Sequence, residues 1–185
     1  MNPAIVKARA CSVYDGWVAK SVQIFKYDRE RDRAQVLAES MGPALVDLGP
    51  VDMLIPVPLH PRRRDWRGFN QAALLANHLG EIFSLPVVDA LIRTRETEPQ
   101  THSSREDRLL NMDGAFALSP GWSPDPTLHY VLVDDVYTTG ATVGACAEVL
   151  GAAGANQISV VTVAFDLQKP DLERYRESVR SALPS

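Results

Sequence analysis

The chain has 185 residues, of which 45% are hydrophobic and 23% are charged, values typical of one ordinary globular domain. This composition excludes wholesale disorder. Nineteen Lys and Arg against 23 Asp and Glu give a net charge of −4. A protein that is basic throughout, such as a nucleic-acid coat protein, is excluded, whereas a local basic patch is not. Only four of the nineteen cations are Lys, so fifteen are Arg, the residue whose planar fork binds phosphate and carboxylate groups.

The cysteine count and the hydropathy pattern predict a cytoplasmic protein. Cys11 and Cys146 are too few for a disulfide framework, and no C-x-x-C pair is present. No apolar segment follows a charged start, and no apolar stretch approaches about 18 residues, so neither secretion nor contact with a membrane is expected. No histidine pair has metal-ligand spacing, so no protein-bound transition metal is predicted.

The hydrophobic pattern predicts a helical first part followed by an alternating α/β part. Residues 1–50 are predicted to be helical, with an interruption at Gly42-Pro43. Beyond them the pattern favours the following elements: strands at 53–57, 87–92, 116–118, 130–133 and 158–165, and helices at 72–82, 141–150 and 170–182. We therefore expect a single domain over 1–185, in which a helical hood segment (1–50) accompanies an α/β core (51–185) with a parallel sheet.

The segment after the strand at 130–133 carries the strongest chemical signal. Residues 131–142 read Val-Leu-Val-Asp-Asp-Val-Tyr-Thr-Thr-Gly-Ala-Thr. In a parallel sheet, ligands bind beyond the carboxyl ends of the strands, and here the strand leads to Asp134 and Asp135. The Thr- and Gly-rich turn then opens a helix, whose N-terminal N–H groups and dipole favour an anion. The pattern predicts a phosphate cradle beside acceptors for hydroxyls or a metal, which together suit a sugar phosphate.

This segment has two other interpretations besides a sugar-phosphate site. A strand that ends in Asp-Asp is also found as the Walker B arm of ATPases, but that class requires G-x-x-x-x-G-K-[ST], and no Lys in this chain follows a Gly. Alternatively, the Thr residues only cap the helix. Capping alone does not require two adjacent carboxylates.

An arginine-rich segment follows the strand at 53–57. Four arginines, Arg62, Arg63, Arg64 and Arg67, lie within six residues and are offset only by Asp65. Prolines before the run restrict the backbone and lower the entropy cost of a fixed shape. If the sheet is parallel, this segment and the Asp134 segment share one edge, where a pyrophosphate could bridge them. The alternative is a solvated charge run.

Residues 131–142 resemble the phosphoribosyl pyrophosphate (PRPP) motif of type I phosphoribosyltransferases. In that family the two acidic residues contact the ribose hydroxyls, which the resemblance assigns to Asp134 and Asp135. The loop that follows wraps the 5′-phosphate, which the resemblance assigns to Thr138, Thr139, Gly140, Ala141 and Thr142. The resemblance implies a type I phosphoribosyltransferase-like α/β fold with a small, mainly helical N-terminal hood.

A narrower resemblance joins the chain to the competence protein F (ComF) family of phosphoribosyltransferase-like proteins. It is carried by Pro56-Val-Pro58, the arginine run and Arg67-Gly-Phe-Asn-Gln71, together with Lys26-Tyr27 after an apolar helix. Residues 93–101 and 105–116 resemble the central segment of the family, so the likeness runs from about residue 14 to 165. Many members begin with a four-cysteine zinc module. This chain does not contain those cysteines, so functions of that module are not expected here.

The resemblance implies binding of PRPP with Mg²⁺, the metal being held by ligand oxygens and water rather than by protein side chains. A catalytically active member would transfer the phosphoribosyl group and release pyrophosphate. Asp134 and Asp135 would orient the ribose, and the arginines of 62–67 would stabilise the leaving pyrophosphate. His60 either adds a phosphate donor or is structural. Arg105 and Arg108 are flap candidates, in a polar segment with His102.

The sequence leaves two points open: the role of Tyr137 with the identity of the acceptor, and the choice between an enzyme and a non-catalytic module. Tyr137 either stacks on a base, covers the ribose or packs beneath the hood, and no residue identifies the acceptor. The second functional hypothesis is a non-catalytic module in DNA uptake that senses PRPP or associates with single-stranded DNA. Trp66 and Phe69, interleaved with the arginines, have the composition of a stacking surface for single strands. The predicted partners are single-stranded DNA, a competence helicase and, in a homodimer, a second copy of the chain.

Overall fold

The structure is a computed structural model, and it describes residues 2–27, 33–95, 114–167 and 170–174. The strands are β1 (Lys7–Val13), β2 (Met53–Pro56), β3 (Leu91–Arg93), β4 (Phe116–Leu118), β5 (His129–Tyr137) and β6 (Gln157–Phe165). The helices are α1 (Gly16–Tyr27), α2 (Arg33–Val46), α3 (Pro61–Arg67), α4 (Gln71–Phe83) and α5 (Ala141–Ala152). None of the helices in these ranges is long and apolar enough to cross a membrane.

The main sheet has four strands in the order β1-β6-β5-β2, and every neighbouring pair is parallel. Strands β3 and β4 form a separate antiparallel pair. The predicted α/β class with a central parallel sheet is therefore confirmed. Because the strands are parallel, their carboxyl ends all lie at one edge, which we call the carboxyl edge. Strand β5 is central there, with β2 on one side and β6 on the other.

Side chains from the two faces of the sheet enter two cores. On the three-helix face, Val131 and Val133 of β5 pack with α1, α2 and α4. On the opposite face, which we call the α5 face, Tyr130 and Leu132 pack with α5 and the β3-β4 pair. This alternation is what a strand buried on both sides requires. Consecutive residues of β5 therefore serve different layers, and the same rule separates the residues that follow.

Helix α1 crosses the carboxyl edge. It begins just after β1, where the Tyr14 N–H donates to the Phe165 carbonyl at the end of β6 (2.8 Å). Its last turn lies at β5, where Lys26 Nζ is 3.1 Å from Asp135 Oδ1. Helix α2 then returns along the three-helix face, and Lys7 Nζ at the start of β1 donates to the Asp47 carbonyl (2.5 Å). The N-terminal part is thus mainly helical, and α1 is the element that covers the edge.

Several local predictions were wrong. Residues 7–13, predicted to be helical, form β1 at the edge of the sheet, because pairing with β6 outweighs a weak local preference. Helix α2 continues through Pro43, and the buried residues on both sides of Pro43 hold the helix against the core. Residues 61–67, for which no helix is predicted, form the short helix α3. In the predicted strand 87–92, Val87 makes one bridge to Leu54 and β3 begins only at Leu91.

Other predictions are confirmed or lie outside the described residues. The predicted helix at 72–82 is present as α4, whose N-cap is Asn70; the Asn70 side chain accepts from the Ala72 N–H (3.1 Å). Most of the predicted C-terminal helix beyond residue 174 is outside the described residues, as is the segment 96–113. The domain boundaries 1–50 and 51–185 stay a prediction.

Candidate functional site

Strand β5 continues past the predicted end and includes both aspartates of the acidic motif. The pairing of β5 with β6 is regular up to Asp134 and resumes at Val136, omitting Asp135 and its counterpart Val163. Val133 and Val136 both pack on the three-helix face, whereas Tyr137 packs on the α5 face. The strict alternation of side chains is therefore interrupted at the aspartates. The Val163 carbonyl, which is adjacent to this interruption, accepts a hydrogen bond from Cys11 Sγ (2.8 Å).

The two carboxylates have different hydrogen-bond partners. Asp135 faces α1, where its Oδ1 is 3.1 Å from Lys26 Nζ. Asp134 is close enough to Arg93 of β3 and to Cys146 of α5 for the charges to act on one another. The sequence predicts both aspartates at the carboxyl edge, and the structure places them there.

The Lys26–Asp135 ion pair is largely shielded from water, with 21% and 12% of the two side chains exposed. Burial lowers the pKa of Lys26, but the charge and hydrogen bond of Asp135, together with the charge of Asp134, outweigh it and raise that pKa above its ordinary value. Lys26 therefore stays charged. A buried pair of this kind holds its two elements in register.

Asp134 has an unusual acidity for an aspartate. Burial disfavours its charged form, and the nearby Asp135 charge does so further, so the pKa of Asp134 is raised to about 7. The Asp135 N–H, which donates to Asp134 Oδ1 at 2.9 Å, and the charges of Lys26 and Arg93 act in the opposite direction. The residue keeps part of its surface exposed. Asp134 is thus a carboxyl that changes its charge near neutral pH and can still meet a ligand.

The turn after β5 is short and tightly packed. Residues 138–140 connect β5 to α5, and Gly140 has a positive φ of 78°. A Cβ on Gly140 would lie 2.4 Å from Tyr137 Oη, so only glycine fits both the conformation and the space. The N-cap residue of α5 makes no side-chain cap hydrogen bond, while Thr139 Oγ1 accepts from the Ala141 N–H (3.3 Å). Capping by threonine accounts for one donor of the first turn.

Tyr137 lies beneath this turn. Its ring stacks on Phe165, with centroids 4.8 Å apart and planes 11° apart. Its hydroxyl group is directed at Gly140. This arrangement supports the packing alternative for Tyr137, in which the ring stabilises the turn from below.

The arginine helix α3 follows β2, the neighbour of β5. The Val57 N–H donates to the Val133 carbonyl at 3.0 Å, so the chain leaves β2 beside the acidic segment. His60 is the N-cap of α3, and its Nδ1 accepts from the Arg62 N–H at 3.3 Å. This contact supports a structural role for one ring nitrogen, and the phosphate role of His60 stays a prediction.

The four arginines differ in exposure. Arg62 and Arg64 are exposed, whereas Arg63 and Arg67 are half-buried. Arg67 is the last residue of α3. Its side chain is held in place because its Nη1 donates to the Oε1 of the buried Gln71 (3.2 Å). The helix also presents Trp66 with 64% of its surface exposed. Some of the arginine and aromatic side chains of this segment are therefore at the surface, whereas Arg67 is anchored.

The hood helix α1 and the arginine segment meet through aromatic residues. Phe25 and Phe69 are fully or nearly buried, with ring centroids 5.7 Å apart. Lys26 follows Phe25 directly, so this contact sets the position of the ion pair with Asp135. The sequence resemblance includes Lys26, but nothing in the sequence assigns it this partner. A lone Lys at the end of an apolar helix was the available signal.

Two histidines and one cysteine outside the acidic and arginine segments have the following contacts and burial. His78 is half-buried and lies 3.4 Å from Glu81, as expected of a flanking position. His129 has a structural role that the sequence did not reveal, since its ring contacts the Pro50 carbonyl (2.6 Å) and Ser159 Oγ (2.8 Å). Cys146 is fully buried, as expected of a core residue.

The flap candidates belong to the segment 96–113 of the sequence. His102, Arg105 and Arg108 lie outside the described residues.

Within the described ranges no group of three or more His, Cys, Asp or Glu side chains could hold a metal ion.

Comparison of the sequence with curated proteins finds relatives that are named competence and DNA utilization proteins. The chain is 33% identical to competence protein F of Haemophilus influenzae over 146 residues, which is 75% of this chain and 64% of that protein. It is 40% identical to the DNA utilization protein YhgH of Salmonella typhi over 110 residues, 59% of this chain and 47% of that protein. It is 38% identical to competence protein ComFC of Bacillus subtilis over 93 residues, 49% of this chain and 34% of that protein.

The chain thus spans less than two thirds of the length of these relatives. No family model matches it. Similar solved structures include a hypoxanthine phosphoribosyltransferase from Staphylococcus aureus, with a TM-score of 0.44 and 16% identity, covering 71% of this chain and 62% of that one. A purine phosphoribosyltransferase from Pyrococcus horikoshii has a TM-score of 0.43 and 20% identity, covering 83% of this chain and 77% of that one. By sequence, the chain is a homologue of the competence protein F and ComFC proteins, as the resemblance carried by its arginine segment predicted.

Proposed function

We propose that this chain binds PRPP together with Mg²⁺ at the carboxyl edge of its sheet and, when an acceptor is present, transfers the phosphoribosyl group with release of pyrophosphate. The observation that carries the proposal is the continuous segment from Asp134 to α5. In this segment two carboxyls, a turn that only glycine can make and an anion-favouring helix N-terminus follow one another within nine residues. A cytoplasmic location is part of the proposal.

The phosphate half of the ligand would bind at the turn. The helix α5 is 12 residues long, so its aligned peptide dipoles place about half a positive charge at its N-terminus. The unpaired N–H groups of the first turn of α5 would donate to the 5′-phosphate, and residues 138–142 would surround it. Gly140 lets the backbone approach closely, since a side chain there would collide with Tyr137.

The ribose and the pyrophosphate would lie on either side of this turn. The carboxyl of Asp134 is an acceptor for ribose hydroxyls, with Asp135 beside it in the strand. The arginines of α3, of which Arg67 is anchored by Gln71, would bind the pyrophosphate as bidentate donors. Since β2 and β5 are adjacent and parallel, the two half-sites emerge from neighbouring strands.

A transfer reaction would use these residues to stabilise developing charge. Cleavage of the bond between C1′ and pyrophosphate leaves an oxocarbenium-like ribose, which nearby carboxylates stabilise, and a pyrophosphate, which guanidinium groups stabilise. Mg²⁺ would neutralise part of the pyrophosphate charge. The residues fit a metal carried by the ligand, because Asp135 is committed to Lys26 and hard cations accept phosphate oxygens and water as ligands.

Calorimetry with PRPP and Mg²⁺ tests the binding proposal. We expect measurable binding by the wild type and its loss in the double variant Asp134→Asn with Asp135→Asn. A matched control is Asp52→Asn, since Asp52 lies at the opposite, amino end of β5, where it accepts from the His129 N–H (2.8 Å). Equal binding by wild type and the double variant would refute the site, and no binding by the wild type would refute the ligand. Pyrophosphate release in the presence of a panel of bases then tests transfer.

A second candidate function is a non-catalytic module in DNA uptake that senses PRPP or associates with single-stranded DNA. Two observations favour it: the relatives are named competence and DNA utilization proteins, and α3 exposes Trp66 among its arginines. Base stacking on an aromatic ring within a basic surface is the common mode of single-strand binding.

Fluorescence anisotropy with a labelled single-stranded oligonucleotide tests this candidate. Binding through phosphates weakens steeply with salt, with a logarithmic slope of about −0.7 for each phosphate contacted. We expect Trp66→Ala to reduce affinity at every salt concentration, because stacking is lost, while the salt slope stays the same. Trp17→Ala is the matched control, since Trp17 is equally exposed but lies on α1, outside the arginine segment. Absence of binding at low salt would exclude DNA association for this chain.

A further inference from the structure

Gln71 is a buried polar residue that uses only half of its amide group. It is the first residue of α4, and only 3% of its surface is exposed. Its Oε1 accepts from Arg67 Nη1 (3.2 Å). Its Nε2 is shielded from solvent and has no hydrogen-bond partner among the residues that the structure describes. Buried polar groups in folded proteins are nearly always paired, so this donor requires an explanation.

The polar side chains that resemble Gln71 in chemistry or burial are paired. Asn70, which precedes it, uses both halves of its amide: Oδ1 accepts from the Ala72 N–H (3.1 Å), and Nδ2 donates to the Val57 carbonyl (3.0 Å). Thr162, buried in β6, donates its hydroxyl group to a carbonyl of its own strand (3.1 Å). A buried donor without a partner lowers the stability of the folded state, and functional sites are where such exceptions concentrate.

Hydrogen bonds place Gln71 at the carboxyl edge of the sheet. The Asn70 side chain bonds to the Val57 carbonyl, and the Val57 N–H bonds to the Val133 carbonyl (3.0 Å). Val133 directly precedes Asp134 in β5. Two hydrogen bonds thus connect the start of α4 to the acidic segment, so the unpaired donor lies at the edge where a phosphate ligand is proposed to bind.

We propose that Gln71 is a ligand-binding residue of the pyrophosphate half-site: its Oε1 holds the Arg67 guanidinium, and its Nε2 donates to a phosphate oxygen of the bound ligand. This role rests on the proposed binding of PRPP and adds a residue to it. A neutral amide suits the position because it offers an acceptor to the arginine and a donor to the ligand. A carboxylate there would repel the phosphate.

Helix α3 is the element that would move to admit the ligand. It buries none of its seven residues, whereas α4 contributes residues to both cores. Since α3 has no buried side chain to extract from the core, a small displacement of it costs less than one of α4. Such a displacement opens Nε2 to a phosphate oxygen while Gln71 stays fixed on α4. A donor that is already fixed pays little further entropy when it binds.

Calorimetry with inorganic pyrophosphate at low salt tests the role of the amide in a double-mutant cycle. Its members are the wild type, Gln71→Met, Arg67→Ala and the combined variant. We expect Gln71→Met to weaken binding about tenfold or more in both backgrounds, because a hydrogen bond to a charged group is lost. If Gln71→Met has no effect once the Arg67 side chain is absent, the amide acts only by holding the arginine, and the inference is wrong.

Urea unfolding without ligand separates this role from a purely structural one. Met is close to Gln in length and lacks the amide donor, so Gln71→Met should unfold at the same urea concentration as the wild type or at a higher one. A lowered midpoint together with unchanged pyrophosphate affinity would show that the amide serves the fold, which contradicts the inference. The matched control is Asn77→Met, since Asn77 is an exposed amide on the same helix; its pyrophosphate affinity should equal that of the wild type.

The same variants, measured with PRPP and Mg²⁺, keep this inference distinct from the proposed function. If the wild type binds pyrophosphate but not PRPP, the proposed function fails and the pyrophosphate cycle alone decides the role of Gln71. If Gln71→Met binds both ligands as tightly as the wild type, the inference fails and the proposed function stands. A wild type that binds no pyrophosphate at low salt would also overturn the inference.

Discussion

Replacing Asp134 with Asn should stabilise the protein at alkaline pH, although it removes a residue of the candidate site. The reason is the pKa of Asp134, about 7 in the folded protein against 3.8 for an ordinary aspartate. Below about pH 4 Asp134 is protonated in both the folded and the unfolded state, so its ionisation does not change the free energy of unfolding. Between about pH 4 and 7 the unfolded state ionises first, and stability falls as pH rises through the folded pKa.

The magnitude follows from the size of the shift. A shift of about 3 units at about 1.4 kcal/mol each sets an upper bound of about 4 kcal/mol above pH 7. Because Asp134 keeps part of its surface exposed, and because Lys26 and Arg93 can adjust to its charge, we expect about half of that bound, ~2 kcal/mol.

Urea unfolding at pH 4, 6 and 8 measures this effect directly. The midpoint of Asp134→Asn should equal that of the wild type at pH 4 and exceed it progressively at pH 6 and 8, with an unchanged m-value. The matched control is Asp135→Asn, which leaves the Lys26 charge buried without its partner and should destabilise the protein at pH 8 by about 3 kcal/mol. A midpoint difference that stays constant from pH 4 to 8, or a destabilised Asp134→Asn at pH 8, would refute the account of the acidic pair.

Three further variants test other parts of the structure. Gly140→Ala should destabilise by about 1–3 kcal/mol and weaken PRPP binding, and adding Tyr137→Phe, which removes the colliding hydroxyl, should recover part of the stability in a thermal melt. His129→Ala should lower the free energy of unfolding by about 2 kcal/mol, because it removes two ring hydrogen bonds at the amino end of β5, while PRPP affinity measured by calorimetry stays unchanged; reduced affinity would contradict this separation. Arg67→Ala should weaken inorganic pyrophosphate binding more than Arg62→Ala, since Arg67 is half-buried and donates to the buried Gln71, whereas Arg62 is exposed, and equal effects would show that this difference in exposure is irrelevant.

Much of the sheet could be predicted from the sequence because its strands are buried on both faces. The runs at 53–57, 130–133 and 158–165 are apolar at nearly every position, which is the pattern of a central parallel strand. Residues 7–13 have no such run. Their side chains are only half-buried, because β1 is an edge strand, and its pairing with β6 comes from a partner about 150 residues away in the chain that no local window includes.

The site was predicted to the level of segments but not of side-chain direction. The acidic pair, the glycine turn and the arginine run all lie near the carboxyl edge because each follows a strand of a parallel sheet, and that rule needs only the order of elements. The surroundings of each carboxyl depend on tertiary contacts, above all on Lys26, which is more than a hundred residues away in sequence. The sequence therefore indicates two carboxylates without showing that one of them is already paired.

The pairing of Asp135 also explains how an edge with two aspartates can receive a polyanion. At an effective dielectric constant of about 20, a free carboxylate about 5 Å from a phosphate charge would cost roughly 3 kcal/mol. Lys26 compensates Asp135, and the raised pKa of Asp134 leaves that residue partly protonated near pH 7. The acidic pair then contributes less than one uncompensated charge. The N-terminus of α5 and the arginines of α3 remain as the dominant field at the edge, so the net charge of −4 for the whole chain does not describe the charge that a phosphate ligand would meet.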